Sequence, residues 1–231
     1  MLTLEQVVIQ QDDFSLAADW SADQGGRVAV IGPSGAGKST LLSAIAGFIT
    51  PQSGRVLWNG SDLREMPPGD RPLSILFQDQ NLFPHLTVFQ NLGLGLNPSL
   101  RLSGTDQIRI ATVLDRIGLT GFENRKPGQL SGGQMARVAL GRALLRARPV
   151  LLLDEPFSAL GPALKAEMLK LVAEVADETG ATVLMVTHEP DDARRFSEKT
   201  VLVSDGVAHA PQSTQALFDD PPEVLRKYLG K

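Results

Sequence analysis

Val28-Ala29-Val30-Ile31-Gly32-Pro33-Ser34-Gly35-Ala36-Gly37-Lys38-Ser39-Thr40-Leu41-Leu42-Ser43-Ala44-Ile45-Ala46 changes its apolar pattern twice. Val28–Ile31 is a continuous apolar run that stops at glycine, as a central strand feeding a loop does. From Ser39 onward, Leu41, Leu42, Ile45 and Ala46 recur at helical spacing, and Gly47 is a suitable stop. Between strand and helix, Gly32 to Ser39 fits G-x-x-x-x-G-K-[ST]. Glycines let backbone N–H groups wrap a phosphate closely, and the helix N-terminus adds positive potential. Lys38 reaches the β/γ-phosphates as a point charge, and the Ser39 hydroxyl suits Mg²⁺. The bare pattern arises by chance in on the order of one chain in a hundred of this size, and the strand–loop–helix context lowers that further. Gly32, Pro33, Ser34, Gly35, Ala36, Gly37, Lys38, Ser39 and Thr40 are therefore the candidate nucleotide-binding residues.

Upstream, Leu2–Ile9 and Phe14–Trp20 read as strands. Downstream, Val56–Trp58 with Asn59-Gly60 reads as a strand and tight turn. Pro67-Pro68-Gly69 breaks the chain before a strand at Leu73–Phe77. Between about Asn91 and Gln129 the character turns helical, with Ile110, Val113, Leu114 and Ile117 on one face and Gly118 ending it. Strand signals return at Val150–Leu153, Thr182–Val186 and Lys199–Val203, with a helix carrying Leu164, Met168, Leu171, Val172 and Val175 between the first two. This alternation predicts an α/β fold of P-loop NTPase type: a mainly parallel sheet, an N-terminal antiparallel β part and an inserted helical subdomain. One domain is expected over 1–231, with 1–90 and 146–231 forming the core and 91–145 the helical subdomain.

Val150–Leu153 ends in Asp154-Glu155. Neighbouring strand side chains point apart, so the two carboxylates suit different tasks: Asp154 toward Mg²⁺, Glu155 as general base for an attacking water. His188 follows the Thr182–Thr187 strand, at the edge where ligands collect in open parallel sheets. There it is expected to meet the γ-phosphate and orient Glu155 or the water, although a lone histidine at a strand end is more often structural. His85 and His209 are read as surface or loop residues.

The chain has 42% hydrophobic and 21% charged residues, a globular balance, and its net charge of −4 lacks the basic surplus of a nucleic-acid binder. With no cysteine, disulfides and thiolate metal sites are excluded. Met1–Gln6 lacks a secretory n-region, and no apolar run approaches the roughly 20 residues a bilayer span needs. A cytoplasmic chain is expected, with any membrane role coming from docking on another chain.

Leu130-Ser131-Gly132-Gly133-Gln134 precedes a helix expected through Val138, Arg142 and Leu145. Small residues and bare N–H groups at a helix start make a second anion site, which suits a nucleotide held by another copy. A Ser-Gly-Gly loop serving only as an N-cap has the same spacing. The phosphate loop, Gln78 after Leu73–Phe77, Leu130–Gln134, Asp154-Glu155 and His188 together resemble the ABC ATPase family, in order and spacing, over nearly the whole chain. The resemblance implies an ATPase using ATP and Mg²⁺, and a head-to-tail dimer enclosing two nucleotides. Lys38 and Ser39 of one copy would face Ser131 and Gly133 of the other, with Gly132 and Gln134 in the same segment. It further implies that Gln78 joins Ser39 and Asp154 at the metal, touches the water, and relays occupancy to a membrane partner.

Within the family the chain is most similar to thiamine-import ATPases, through Met66-Pro67-Pro68, Ser74–Gln78, Asn81–Val88 and Gly93–Pro98. That likeness implies integral membrane permease subunits, a periplasmic solute-binding protein and a peripheral place at the cytoplasmic face of the inner membrane. Phe83–Val88, a loop just after Gln78, is expected to form part of the docking surface, the alternative being that its apolar residues are local core. Other readings are a soluble ABC-type ATPase of DNA repair or translation, whose usual coiled-coil insertions or paired cassettes are missing here, and a nucleotide-gated module with weak hydrolysis. Two departures stand out. Gly161 follows Ser158-Ala159-Leu160 where the family carries an Asp that connects the two sites, and Phe14 is an adenine-stacking candidate that reads equally as a core strand residue.

Overall fold

Leu2 and Leu4 are buried on one parity of β1 (Leu2–Gln11), and Val7 and Ile9 on the other. Side chains alternate across a strand, so both pairs reach one core only if an extra residue intervenes. Gln6 is that residue: its φ is +46°, and the pairing of β1 with both neighbours shifts there. β2 (Phe14–Ala22) and β4 (Ser53–Trp58) flank β1 antiparallel, and β5 (Ser61–Asp62) closes that end through the Asn59-Gly60 turn. The computed structural model describes residues 1–79 and 81–230.

β3 (Arg27–Ile31) is central in the second half of the sheet. It pairs parallel with β8 (Thr182–Val186) and β9 (Lys199–Ser204), and β8 continues through β7 (Val150–Asp154) to β6 (Leu73–Leu76), all parallel. Short strands join the two halves: β10 (Val207–Ala208) bridges β2 and β9, and β11 (Gln212–Ser213) adds to β9. The order among the described residues is β5-β4-β1-β2-β10-β9-β3-β8-β7-β6.

Val28 and Val30 pack with α1 (Lys38–Ala46) on one face, through Leu41, Leu42 and Ile45. Ala29 and Ile31 pack on the other with α7 (Thr214–Asp219) and α8 (Glu223–Tyr228), through Leu217, Phe218 and Leu225. That face also receives α4 (Gly132–Arg146) and α5 (Pro162–Thr179), through Leu140, Met168 and Val172 on Leu151, Leu153 and Val183. A separate apolar cluster unites α2 (Val88–Gly93), α3 (Gly104–Arg116) and α4, through Val88, Leu92, Ile110, Leu114 and Val138. No helix among the described residues is long and apolar enough to cross a membrane.

Three expectations shift. The strand from Leu73 ends at Leu76, leaving Phe77 outside it. Helix begins at Val88, before Asn91, because Thr87 and Gln90 form a reciprocal capping box. Val88 is therefore fully buried helix, and the expected Phe83–Val88 loop ends at Thr87. The carboxyl ends of β3, β6, β7 and β8 point the same way, which brings Gly32, Gln78, Asp154-Glu155 and His188 to one edge.

Candidate active site

Gly32 leaves β3 so close to β9 that a Cβ there would collide with the Val203 carbonyl. Gly37, the N-cap of α1, has φ +102°, and a Cβ there would run into the Phe14 ring. Only glycine satisfies both conditions at position 37. The loop thus turns α1 so that its first N–H groups, which have no partner within the helix, open toward the edge without a side-chain cap. At the other end, buried Arg71 donates from Nη1 to the Ala44 and Ile45 carbonyls (3.1 and 2.7 Å) and from Nε to Met66 (3.0 Å), fixing the axis of α1.

Lys38 is buried, and its Nζ donates to the carbonyls of Gly32 (2.8 Å) and Pro33 (2.9 Å). An ammonium has three donors, so one remains for an arriving phosphate oxygen. Burial pulls the Lys38 pKa below its ordinary value, while Glu155 and Asp154 act in the opposite direction. The two carboxylates at the end of β7, two strands from β3 in the sheet, therefore offset part of the cost of burying this cation.

Ser39 Oγ donates to Asp154 Oδ1 at 3.0 Å, across 115 positions of sequence. Burial raises the Asp154 pKa, the Ser39 hydrogen bond lowers it, and Glu155 raises it again. This pair of hard oxygens fits Mg²⁺, which typically takes one or two protein oxygens and completes its shell with phosphate and water. No cluster of three or more His, Cys, Asp or Glu suited to a metal occurs among the described residues. Gln78 is exposed in the turn after β6, and the pairing of Leu76 with Leu153 sets it beside the end of β7.

Glu155 has φ +45°, a sparsely populated conformation for a non-glycine residue, held by its N–H to the Val186 carbonyl (3.2 Å). That turn swings the Glu155 carboxylate out of the strand direction of Asp154, and Oε2 meets His188 Nδ1 at 3.3 Å. The other His188 nitrogen lies 3.6 Å from Glu189 Oε1. Lys165 on α5 holds that same carboxylate, and the Tyr228 hydroxyl donates to the His188 carbonyl at 2.7 Å. Sequence reasoning missed Lys165, Glu189 and Tyr228. An acidic residue directly after His188 was a faint signal, and nothing local marked the other two.

At the start of α4, Ser131 Oγ accepts from Gln134 N (3.3 Å), and Gln134 Oε1 accepts from Ser131 N (2.9 Å). The N-cap alternative is therefore realised in these side chains, while the N–H groups of Gly132 and Gly133 stay outside the helix ladder. Ser131 and Gly132 are exposed. Phe14 is half-buried, its ring over Gly37 and packed on the core, so both of its readings have a geometric basis. His85 and His209 are exposed, the first edge-on to Phe83 and the second bonded to Ser204 Oγ. Gly161 is the N-cap of α5 with no side-chain cap.

The family model described as "ABC transporter" matches residues 17–158. A thiamine import ATP-binding protein of Cereibacter sphaeroides is 66% identical over 230 residues, covering all of both chains. One of Ruegeria sp. is 54% identical with the same coverage. A dimeric ATP-binding cassette in a post-hydrolysis state, bound to ADP and Pi, superposes with a TM-score of 0.81 at 31% identity, covering 93% of this chain and 99% of that one. Full-length identity at this level, a matched segment spanning both the loop and the acidic pair, and the shared fold lead to one assignment: the chain belongs to the ABC transporter family.

Proposed function

We propose that the chain is the ATP-hydrolysing subunit of an importer for thiamine or a related thiamine phosphate. The supporting observation is a convergence at one sheet edge: a phosphate loop with a buried lysine, the Ser39–Asp154 oxygen pair, and Glu155 in contact with His188. Names of relatives that match across their full length supply the solute.

Gly32–Thr40 binds the phosphates of ATP, with the remaining N–H of the Lys38 ammonium donating to a phosphate oxygen. Mg²⁺, when bound, neutralises charge on the β- and γ-phosphates, and Ser39, Asp154 and Gln78 are the residues we assign to it. Glu155 accepts the proton of the attacking water, and His188 orients that carboxylate through Nδ1. Ser131 and the Gly132–Gly133 amides complete the enclosure on a nucleotide held by a second copy. Dimer closure on ATP then drives a permease, and hydrolysis resets it.

The permease docks at the loop that carries Phe83, which is 45% exposed. Asn91 is fully buried and ties Phe83, Leu86 and Thr87 by four hydrogen bonds, so the loop is shaped from within. Arg142 of α4 donates to the Asn81 carbonyl and lies over the Phe83 ring at 5.8 Å, linking that surface to the helix led by Ser131. The solute arrives from a periplasmic binding protein on the far side of the permease.

Uptake of labelled thiamine by cells that carry the chain with its permease tests the reading. Uptake is expected with the natural chain and lost in Glu155→Gln, whose phosphate release should fall by roughly 10²–10⁴-fold. Undiminished phosphate release in that variant removes Glu155 from the proton-accepting role, and uptake of other solutes alone removes thiamine.

A further inference from the structure

Lys165 occupies the fourth position of α5 and is 7% exposed, with its ammonium 2.5 Å from Glu189 Oε1 and 3.3 Å from Asp192 Oδ2. A cation is disfavoured at the positive end of a helix and again when withdrawn from water, so its place here requires strong compensation. Both compensating carboxylates stand at the start of α6 (Pro190–Phe196), immediately after His188: Glu189 is the N-cap and Asp192 lies in the first turn. Lys165 therefore clamps the helix that leaves the Glu155–Gly161 loop to the helix that leaves His188. Lys165, Glu155 and His188 also line one small cavity.

One oxygen, Glu189 Oε1, carries the consequence. Lys165 holds it, yet it lies only 3.6 Å from His188 Nε2, while His188 Nδ1 sits 3.3 Å from Glu155 Oε2. The imidazole stands between two carboxylates, one at each ring nitrogen, and a neutral ring has a single N–H to give, so the two compete for that donor. We propose that Lys165 is a positioning residue for ATP hydrolysis, which restrains Glu189 so that the His188 ring stays committed to Glu155. Without the ammonium, Glu189 closes on Nε2 and draws the ring away from Glu155. The inference rests on the assignment of Glu155 and His188 above.

The test follows phosphate release from Mg-ATP by the full chain, alongside binding of a fluorescent ATP analogue and the melting temperature. Lys165→Met should lower kcat by between about 10- and 100-fold, as a misplaced catalytic group does, with nucleotide affinity unchanged. Lys165→Arg should restore most of the turnover. Adding Glu189→Gln to Lys165→Met removes the competing carboxylate and should recover kcat several-fold. A structural role alone predicts instead a loss that follows melting temperature and that Glu189→Gln leaves unrepaired; that result, or wild-type kcat in Lys165→Met, overturns the proposal. Glu155→Gln run in parallel separates the two failures: if it retains turnover, the assignment beneath fails, and if it is inactive while Lys165→Met is normal, only the positioning role fails.

Discussion

Two helices in this chain begin at glycine-rich turns, and they begin in opposite ways. α1 starts at Gly37 with no side-chain cap, a buried Lys38 beside it and a strand-end carboxylate drawn onto Ser39. α4 starts at exposed Ser131 with a closed, reciprocal cap. An uncapped helix start with a buried cation is incomplete by the standards of a folded chain, and a bound phosphate completes it. A helix start finished by its own side chains is a rigid surface that presents only backbone amides and a hydroxyl. The first region suits a ligand that enters this chain, and the second suits a ligand that another chain brings.

The contrast can be broken most forcefully at Lys38. Lys38→Ala removes a charge-assisted contact and should weaken nucleotide binding by about 1.5–3 kcal/mol, roughly 10- to 150-fold, in a fluorescence titration. The melting temperature without nucleotide should fall little or even rise, since a buried cation leaves with the side chain. Ser131→Ala should do the reverse: a lost N-cap costs about 1 kcal/mol, or about 2–4 °C by calorimetry, while affinity of the monomer for nucleotide is unchanged. If Ser131→Ala weakened monomer binding as Lys38→Ala does, the division between the two regions would fail.

Smaller effects sharpen the picture. Burial holds the folded Asp154 pKa above its unfolded value, so its ionised form weakens the fold at neutral pH, and this penalty disappears as pH falls through the folded pKa. Asp154→Asn should therefore stabilise the nucleotide-free protein near neutrality, by less than about 1 kcal/mol. The gain should vanish in acid, and magnesium-dependent nucleotide binding should be lost; a gain that grew toward acid pH would reverse the sign argued here. Gly161→Asp is the mildest change. Gly161 has φ −64° and ψ 156°, and a Cβ there meets no atom within 4 Å, so an aspartate fits and can cap α5. The expected gain over glycine is a few tenths of a kcal/mol, about 1 °C in melting temperature.

Legibility in the sequence followed the distance over which each contact acts. The Gly32–Thr40 loop carries its mark in consecutive residues and is legible one by one, although the contacts that demand glycine at 32 and 37 come from distant Val203 and Phe14. Asp154 and Ser39 are 115 positions apart, yet each ends or begins an element with its own local mark. Lys165 had no such mark, because a lysine in a helical pattern looks the same whether it faces water or two carboxylates 24 and 27 positions on. Gln6 carries the bulge that keeps β1 in register without a glycine to announce it, and β10 and β11 are two residues each, too short to show any period. Arg71 and Asn91 were passed over for a related reason: their partners are main-chain carbonyls and amides, which leave no trace in side-chain pattern.

The hydrogen bond from Tyr228 to the His188 carbonyl has a practical consequence, because the chain contains one tyrosine. Incorporating an isotope- or fluorine-labelled tyrosine would place a single resonance beside the histidine turn, with no assignment problem and no substitution in the site. Burial and the nearby Glu155 and Glu189 carboxylates hold the phenol above its usual ionisation range, so its signal would record changes in surrounding charge rather than its own deprotonation. The protein thus carries an intrinsic spectroscopic reporter hydrogen-bonded to the backbone of His188.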